Sequence, residues 1–181
     1  MKPMDFTEKT LSRQEIFRGR LVQVHADEVL LPNGETTVRE VVEHVDGVAI
    51  VALDEENRVL TVTQFRYVFG KTLLEIPAGK LEPGEDPVTG ALRELQEETG
   101  AVPGSLISMG RILPAPGCFA EVLHLFLARD LQMKDQNLDE DEFLQVDRIP
   151  FAELVRRCLS GEIEDGKTVV GVLKAKALLN L

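Results

Sequence analysis

Cysteine and histidine are scarce, with two and three residues in a chain of 181. Cys118 and Cys158 form neither a disulfide framework nor a metal-ligand spacing, and without a Cys/His cluster zinc is not expected. Both cysteines read as small buried hydrophobes. Basic residues are also few: 20 Lys and Arg stand against 31 Asp and Glu, a net charge of −11. A chain this acidic lacks the broad basic face that a phosphate backbone demands, which excludes nucleic acid as a partner. No apolar run approaches the roughly 18 residues needed to span a bilayer. The opening Met-Lys-Pro-Met-Asp-Phe-Thr-Glu carries no apolar signal core, so no membrane partner and a cytoplasmic location are expected. Internal repeats and low-complexity tracts are absent as well.

What is present is an ordinary globular composition, 44% hydrophobic and 28% charged, at a length suited to one domain with a proper core. Leu21 to Leu31 and Val38 to Val45 read as strands joined by Pro32-Asn33-Gly34, since Asn-Gly is a strong turn signal. They make residues 1–46 a strand-rich arm, with Phe17 read as core. Val48 to Leu53 is a continuous apolar run suited to a strand buried on both faces, followed by a turn at Asp54 to Asn57 and a strand from Val59 to Phe65. Thr72 to Ile76, Leu106 to Leu113, Val122 to Ala128 and Phe143 to Ile149 are further strand candidates. Phe151 to Leu159 and Lys167 to Leu179 have helical spacing. Mixed sheet between helices is the expected α/β packing. His25, His44 and His124 sit in strand-like segments with no nucleophile to serve and read as structural.

The most informative stretch runs from Gly79 to Ala101. Asp86 is a good N-cap, Pro87 fits the first helical position, and Gly100 can end a helix in the left-handed region, so a helix is predicted over Pro87 to Thr99. Residues three and four apart are neighbours on a helix, which places Glu94, Glu97 and Glu98 on one face. These carboxylates repel one another near the negative end of the helix dipole, and Arg93 offsets only part of their charge. A hard divalent cation suits such a cluster; the alternative is a solvated acidic face.

Read as a whole, the run fits G-x5-E-x7-R-E-U-x-E-E-x-G-U, where U is a bulky aliphatic residue. Gly79, Glu85, Arg93, Glu94, Leu95, Glu97, Glu98 and Gly100 occupy their positions, and Ala101 stands where Ile, Leu or Val is usual. The chain therefore resembles the Nudix hydrolase family. That resemblance implies an α/β/α sandwich with a mixed sheet over residues 47–181, and hydrolysis of a nucleoside diphosphate linked to another moiety with Mg²⁺ or Mn²⁺ as cofactor. It further implies Glu94 and Glu98 as metal ligands, Glu97 as a shared or water-mediated ligand, and the carbonyl of Ala78 as another. Arg93 and Glu85 are expected to pin the loop to the helix by a charge-assisted pair.

Outside the box, Gln64-Phe65-Arg66, Glu75-Ile76-Pro77-Ala78-Gly79 and Ala115-Pro116-Gly117 resemble the ADP-ribose pyrophosphatase branch. The sequence departs from that branch at Val45-Asp46, where Pro-Gly is common after the histidine. The resemblance implies a homodimer that exchanges the arm, with Arg39, Arg66, Glu75, Pro116 and Gly117 as substrate-binding residues; the alternative for Arg39 and Arg66 is a surface pairing with nearby Glu residues. Glu140, in the acidic stretch Leu138 to Phe143, matches the branch's general base, with Glu142 as a third metal ligand or the base itself. The expected reaction is conversion of ADP-ribose to AMP and ribose 5-phosphate. A pyrophosphatase for another nucleoside diphosphate sugar such as GDP-mannose, a catalytically silent nucleotide sensor and an acidic interaction module are the alternatives.

Overall fold

A computed structural model describes residues 4–138 and 142–180. Its contacts divide the chain into two compact units, one built from the residues up to Val45 with Leu113–Glu121, the other from Asp46–Ile112 and the chain from Val122 onward.

In the first unit, strands β1 (Lys9–Arg18), β2 (Val22–Leu30) and β3 (Thr36–His44) form an antiparallel sheet in the order β1-β2-β3. The Asn33-Gly34 turn works as its residue types dictate: Gly34 takes φ 88°, and its N–H donates to the Leu31 carbonyl at 2.9 Å. The segment Leu113–Glu121 is tied to β3, the Val42 N–H donating to the Cys118 carbonyl and the Ala120 N–H to the Val42 carbonyl. Every residue of β1 is exposed. Phe17 is thus 55% exposed and not a core residue, and Cys118 is exposed where burial was expected. Cys158 is buried. His25 is buried, with Nδ1 facing Asp27 at 2.9 Å and Nε2 facing Glu43 at 3.0 Å.

In the second unit, β4 (Gly47–Leu53) is buried throughout. Around it lie β5 (Arg58–Arg66), β6 (Lys71–Glu75), β7 (Ala78–Lys80), β8 (Ala101–Ile112), β9 (Leu123–Met133) and β10 (Leu144–Pro150), with helices α1 (Pro87–Thr99), α2 (Phe151–Ser160) and α3 (Gly166–Leu179). The main path is β10-β5-β4-β9-β8; β6 pairs with β5 and β7 with β4. Only β4 and β9 run parallel among these pairings, so the sheet is mixed. The period of two along β4 assigns its side chains to opposite layers. Val48, Ile50 and Ala52 pack with Ala91 and Leu95 of α1. Ala49, Val51 and Leu53 pack with Leu154 of α2 and Val172 and Ala175 of α3. Helices therefore cover both faces, the α/β/α layering expected from the sequence. No helix among the described residues is long and apolar enough to cross a membrane.

Helix α1 begins and ends as its capping residues require. The Asp86 carboxylate accepts the N–H groups of Val88 and Thr89, and Gly100 takes φ 72° while its N–H closes on the Gln96 carbonyl. A Cβ at Gly100 would stand 2.4 Å from the backbone carbonyl oxygen of Lys134, so only glycine fits. Leu95 and Ala91, both fully buried, anchor the opposite side of the helix from solvent; truncating Leu95 to Ala would cost about 2–5 kcal/mol.

Candidate active site

Anchoring through Ala91 and Leu95 forces the neighbouring positions of α1 inward. Glu94 is 8% exposed and Glu98 2%, although both are carboxylates. Glu98 accepts the Ala78 backbone N–H at 2.9 Å, which joins the end of α1 to β7. Glu94 rests against bare backbone: a Cβ at Gly79 would lie 1.9 Å from its carboxyl carbon. The glycine that opens the motif is there to admit this carboxylate.

Arg93 organises the rest. Its Nε and Nη2 donate to the two oxygens of Glu85 at 2.9 Å each, and Nη2 also reaches the Lys80 carbonyl. Loop and helix are clamped together as the sequence implied. Its Nη1 donates to Glu94 and Glu97 at 2.9 Å each. The electrostatic outcome differs along the motif. The Arg93 guanidinium and the Glu82 N–H pull the Glu85 carboxyl down to about 2. Burial raises Glu94, with Arg93 working against it and Glu97 and Glu142 adding repulsion. Burial, opposed by the Ala78 N–H and reinforced by Glu94 and Glu142, pushes Glu98 up to about 8.

These groups fit a hard divalent cation: oxygen donors, buried, with negative charge that the fold leaves undercompensated. Among the described residues no three such groups converge as a ready-made cage, because the Arg93 guanidinium bridges Glu94 and Glu97.

The other expected site residues fall into two sets. In the second unit, Arg66 donates from Nε and Nη2 to the two oxygens of Glu75 at 2.7 and 2.6 Å; Glu75 is 1% exposed and also takes the Lys167 ammonium. Burial pushes Glu75 up, but Arg66 and Lys167 outweigh it and hold the carboxyl below its usual range. A buried carboxylate gripped by two cations is a support for Arg66. Glu142 lines a hollow of about 500 Å³ with Thr63, Gln64, Phe65 and Thr72, and its charge is felt at Glu94 and Glu98. Glu140 lies outside the described residues. In the first unit, Arg39, Pro116 and Gly117 line one cleft of about 300 Å³, where Arg39 is paired with Glu8 at 2.7 and 2.9 Å.

Lys167, Asp165 and Thr168 are absent from the residues singled out in the sequence. Glu75 in the apolar strand Leu73-Leu74-Glu75-Ile76 signals that a cation must meet it, but nothing local says that one comes from the start of α3.

Comparison with known proteins agrees with this architecture. The NUDIX domain matches residues 43–169, and the nucleoside diphosphate sugar hydrolase N-terminal domain matches residues 8–42. The chain is 42% identical over 169 residues to a protein named methanol dehydrogenase activator from Bacillus methanolicus, covering 92% of this chain and 91% of that protein. It is 39% identical over 167 residues to one named ADP-ribose pyrophosphatase from Bacillus subtilis, covering 91% and 90%. A crystal structure titled ADP compounds hydrolase superposes with a TM-score of 0.86 at 22% identity over 99% of this chain and 97% of the other, a likeness of fold. With the loop, clamp and carboxylate helix in place, and a domain match across most of its length, the chain belongs to the Nudix hydrolase family.

Proposed function

We propose that the protein hydrolyses the diphosphate of ADP-ribose to AMP and ribose 5-phosphate in the cytoplasm, with Mg²⁺ or Mn²⁺ held by Glu94, Glu98 and Glu97 and by the carbonyl of Ala78. The observation that carries this reading is the pair of buried carboxylates on α1, one of them raised to about 8, beside a motif whose family generally uses a divalent metal. When bound, the cation supplies counter-charge for the diphosphate and makes a nearby water easier to ionise. The chain's own residues do the rest. Arg93 and Glu85 keep the loop on the helix, and Gly79 lets Glu94 stand against the backbone. Arg66 presents the guanidinium donors that Glu75 does not occupy to phosphate oxygens, a match of fork to oxyanion. A carboxylate of the stretch 138–143, Glu140 first and Glu142 second, accepts the proton of the attacking water. One phosphoanhydride bond breaks, one P–O bond to water forms, and no covalent enzyme intermediate is required.

The chain also acts as a homodimer in this reading. Leu11, Ile16 and Phe17 of β1 are all about half exposed or more, an apolar strand surface that a second copy would cover. Sedimentation of the full chain, and of a chain shortened to begin at Gly47, tests this: the full chain should be dimeric, and the shortened one should lose both dimer and substrate affinity.

A second substrate reading, another nucleoside diphosphate sugar, is favoured by the N-terminal domain match. Rates on ADP-ribose, GDP-mannose, UDP-glucose and NADH, measured side by side with Mg²⁺, Mn²⁺ and chelator, decide between them. The expected result is fastest release of AMP from ADP-ribose, abolished by chelator. Faster turnover of GDP-mannose or UDP-glucose would replace the substrate, and tight ADP-ribose binding without turnover would make the protein a sensor.

A further inference from the structure

The start of α3 is wired to the catalytic face by a continuous run of hydrogen bonds. Asp165 caps the helix, one carboxylate oxygen accepting the Thr168 N–H at 3.0 Å and the Thr168 hydroxyl. Thr168, fully buried, uses the same hydroxyl oxygen to accept the Ile76 backbone N–H at 2.9 Å. The other Asp165 oxygen accepts the Lys167 ammonium at 3.0 Å, and Lys167 donates onward to Glu75. Glu75 then receives both inner donors of Arg66. Two residues past Ile76, the Ala78 N–H meets Glu98. The α3 cap thus grips the β6 to β7 bend at Glu75 and Ile76, just ahead of the backbone that meets the carboxylate helix.

Around Glu75 the charges are two carboxylates, Glu75 and Asp165, and two cations, Arg66 and Lys167, so this group is balanced only while all four are present. Glu75 is inaccessible, whereas the Arg66 side chain keeps 39% of its surface open. Nε and one proton of Nη2 face Glu75, which leaves three guanidinium protons aimed elsewhere. Asp165 and Glu98 both act on that guanidinium. Arg66 is thus held edge-on by its carboxylate, and that carboxylate is held from behind by Lys167. Lys167 donates to the same Glu75 oxygen as Arg66 Nη2, so without Lys167 that oxygen keeps only its arginine donor and the Arg66–Glu75 pair loses its tie to Asp165 and α3, and with it its fixed orientation. An alternative role, a charge partner for Glu75 that matters only for folding, would not link it to Arg66 in particular.

We infer that Lys167 is a positioning residue: acting through Glu75 and anchored by Asp165, it fixes the orientation of the Arg66 guanidinium. The consequence for turnover rests on the proposed diphosphate hydrolysis; the orientation itself does not.

Two measurements test it. In the first, Lys167→Met, Lys167→Arg, Arg66→Ala and the double variant Lys167→Met/Arg66→Ala are compared for KM and kcat on whichever diphosphate of the panel the wild type cleaves best. Lys167→Met should raise KM about tenfold with kcat changed less than threefold, Lys167→Arg should recover most of the loss, and Lys167→Met should add less than twofold in the Arg66→Ala background. Full additivity in the double variant, or an unchanged KM in Lys167→Met, overturns the inference. The second uses no turnover: the Arg66 Nε–H resonance, assigned by its absence from Arg66→Lys, should be sharp and slow to exchange in the wild type and broadened or fast-exchanging in Lys167→Met. A resonance unaffected by Lys167→Met overturns the inference whatever the activity. A wild type that cleaves no diphosphate overturns the proposed function instead, and the resonance still decides the role of Lys167. Should Lys167→Met fail to fold, Asp165→Asn, which removes the carboxylate that anchors Lys167 and leaves Glu75 and Arg66 in place, carries the same resonance test: broadening supports the inference, and an unaffected resonance overturns it.

Discussion

Two carboxylates of the N-terminal unit, Glu8 and Asp27, and two of α1, Glu94 and Glu98, meet opposite fates. Asp27 and Glu8 each face an arginine, Arg13 and Arg39, and are drawn below their ordinary range by it. Glu94 and Glu98 are raised, chiefly by burial, in a protein that has no shortage of surface on which to put acids. Even inside the motif the contrast holds: Glu85 at about 2 is clamped by Arg93, while burial pushes Glu98 up to about 8 against the Ala78 N–H and the more distant Lys167 charge. A paired acid stabilises architecture, whereas a buried acid left short of positive charge is a place prepared for a cation. Strongly perturbed, desolvated carboxylates are candidates for functional groups on this physical ground.

The comparison is broken most severely by neutralising the raised acids. Glu98→Gln and Glu94→Gln should each lower kcat by at least about 100-fold, some 3 kcal/mol of barrier, with the fold retained. A rate within about threefold of wild type, worth only about 0.6 kcal/mol, would remove that residue from the proposed metal site. Gly79→Ala probes the same carboxylate from the other side. The added methyl would meet the Glu94 carboxyl group at 1.9–2.1 Å, so the side chain has to move, and kcat should fall about tenfold while circular dichroism stays native.

The next effect is on stability. A carboxyl raised to about 8 in the folded state binds its proton more tightly folded than unfolded, so its contribution favours folding below the ordinary carboxylate range. That contribution is lost as pH rises from about 4.5 toward 8. In metal-free protein, Glu98→Gln should therefore be more stable than wild type at pH 8, by about 1 kcal/mol or more, and the advantage should shrink toward pH 5. Denaturant midpoints at the two pH values check the sign. The smallest effect is expected in the sheet: Glu8→Gln breaks an exposed pair with Arg39, and both kcat and Tm should stay within experimental scatter.

Much of this was legible in the residues. The bounds of α1 follow from Asp86, Pro87 and Gly100 because capping is local chemistry, and β4 follows from six consecutive apolar residues because no other packing hides them. What escaped notice has physical causes. Strand β1 is hard to read because bulges between Thr10 and Ser12 and between Glu15 and Phe17 shift its alternation, and because none of its residues is buried among the described residues. The first residues of β8 include Pro103 and Gly104, turn signals elsewhere, yet β8 lies at the sheet edge where a missing N–H costs little. Strand β7, Ala78–Lys80, has no strand-forming side chains at all and exists through its pairing with β4. Within the site, the motif displayed its glutamates by spacing. The Lys167 to Glu75 link joins positions 92 residues apart and became visible only once the chain was folded.

The most direct test of the central claim is the proton count on metal binding. Calorimetric titration of the metal-free protein with Mn²⁺ at pH 7, in buffers of different ionisation enthalpy, reads how many protons each bound ion displaces. A Glu98 carboxyl at about 8 is mostly protonated at that pH, and a cation must expel its proton. The account predicts release of close to one proton per ion in the wild type and a much smaller release, with weaker binding, in Glu98→Gln. Equal proton release and equal affinity in the two proteins would contradict it.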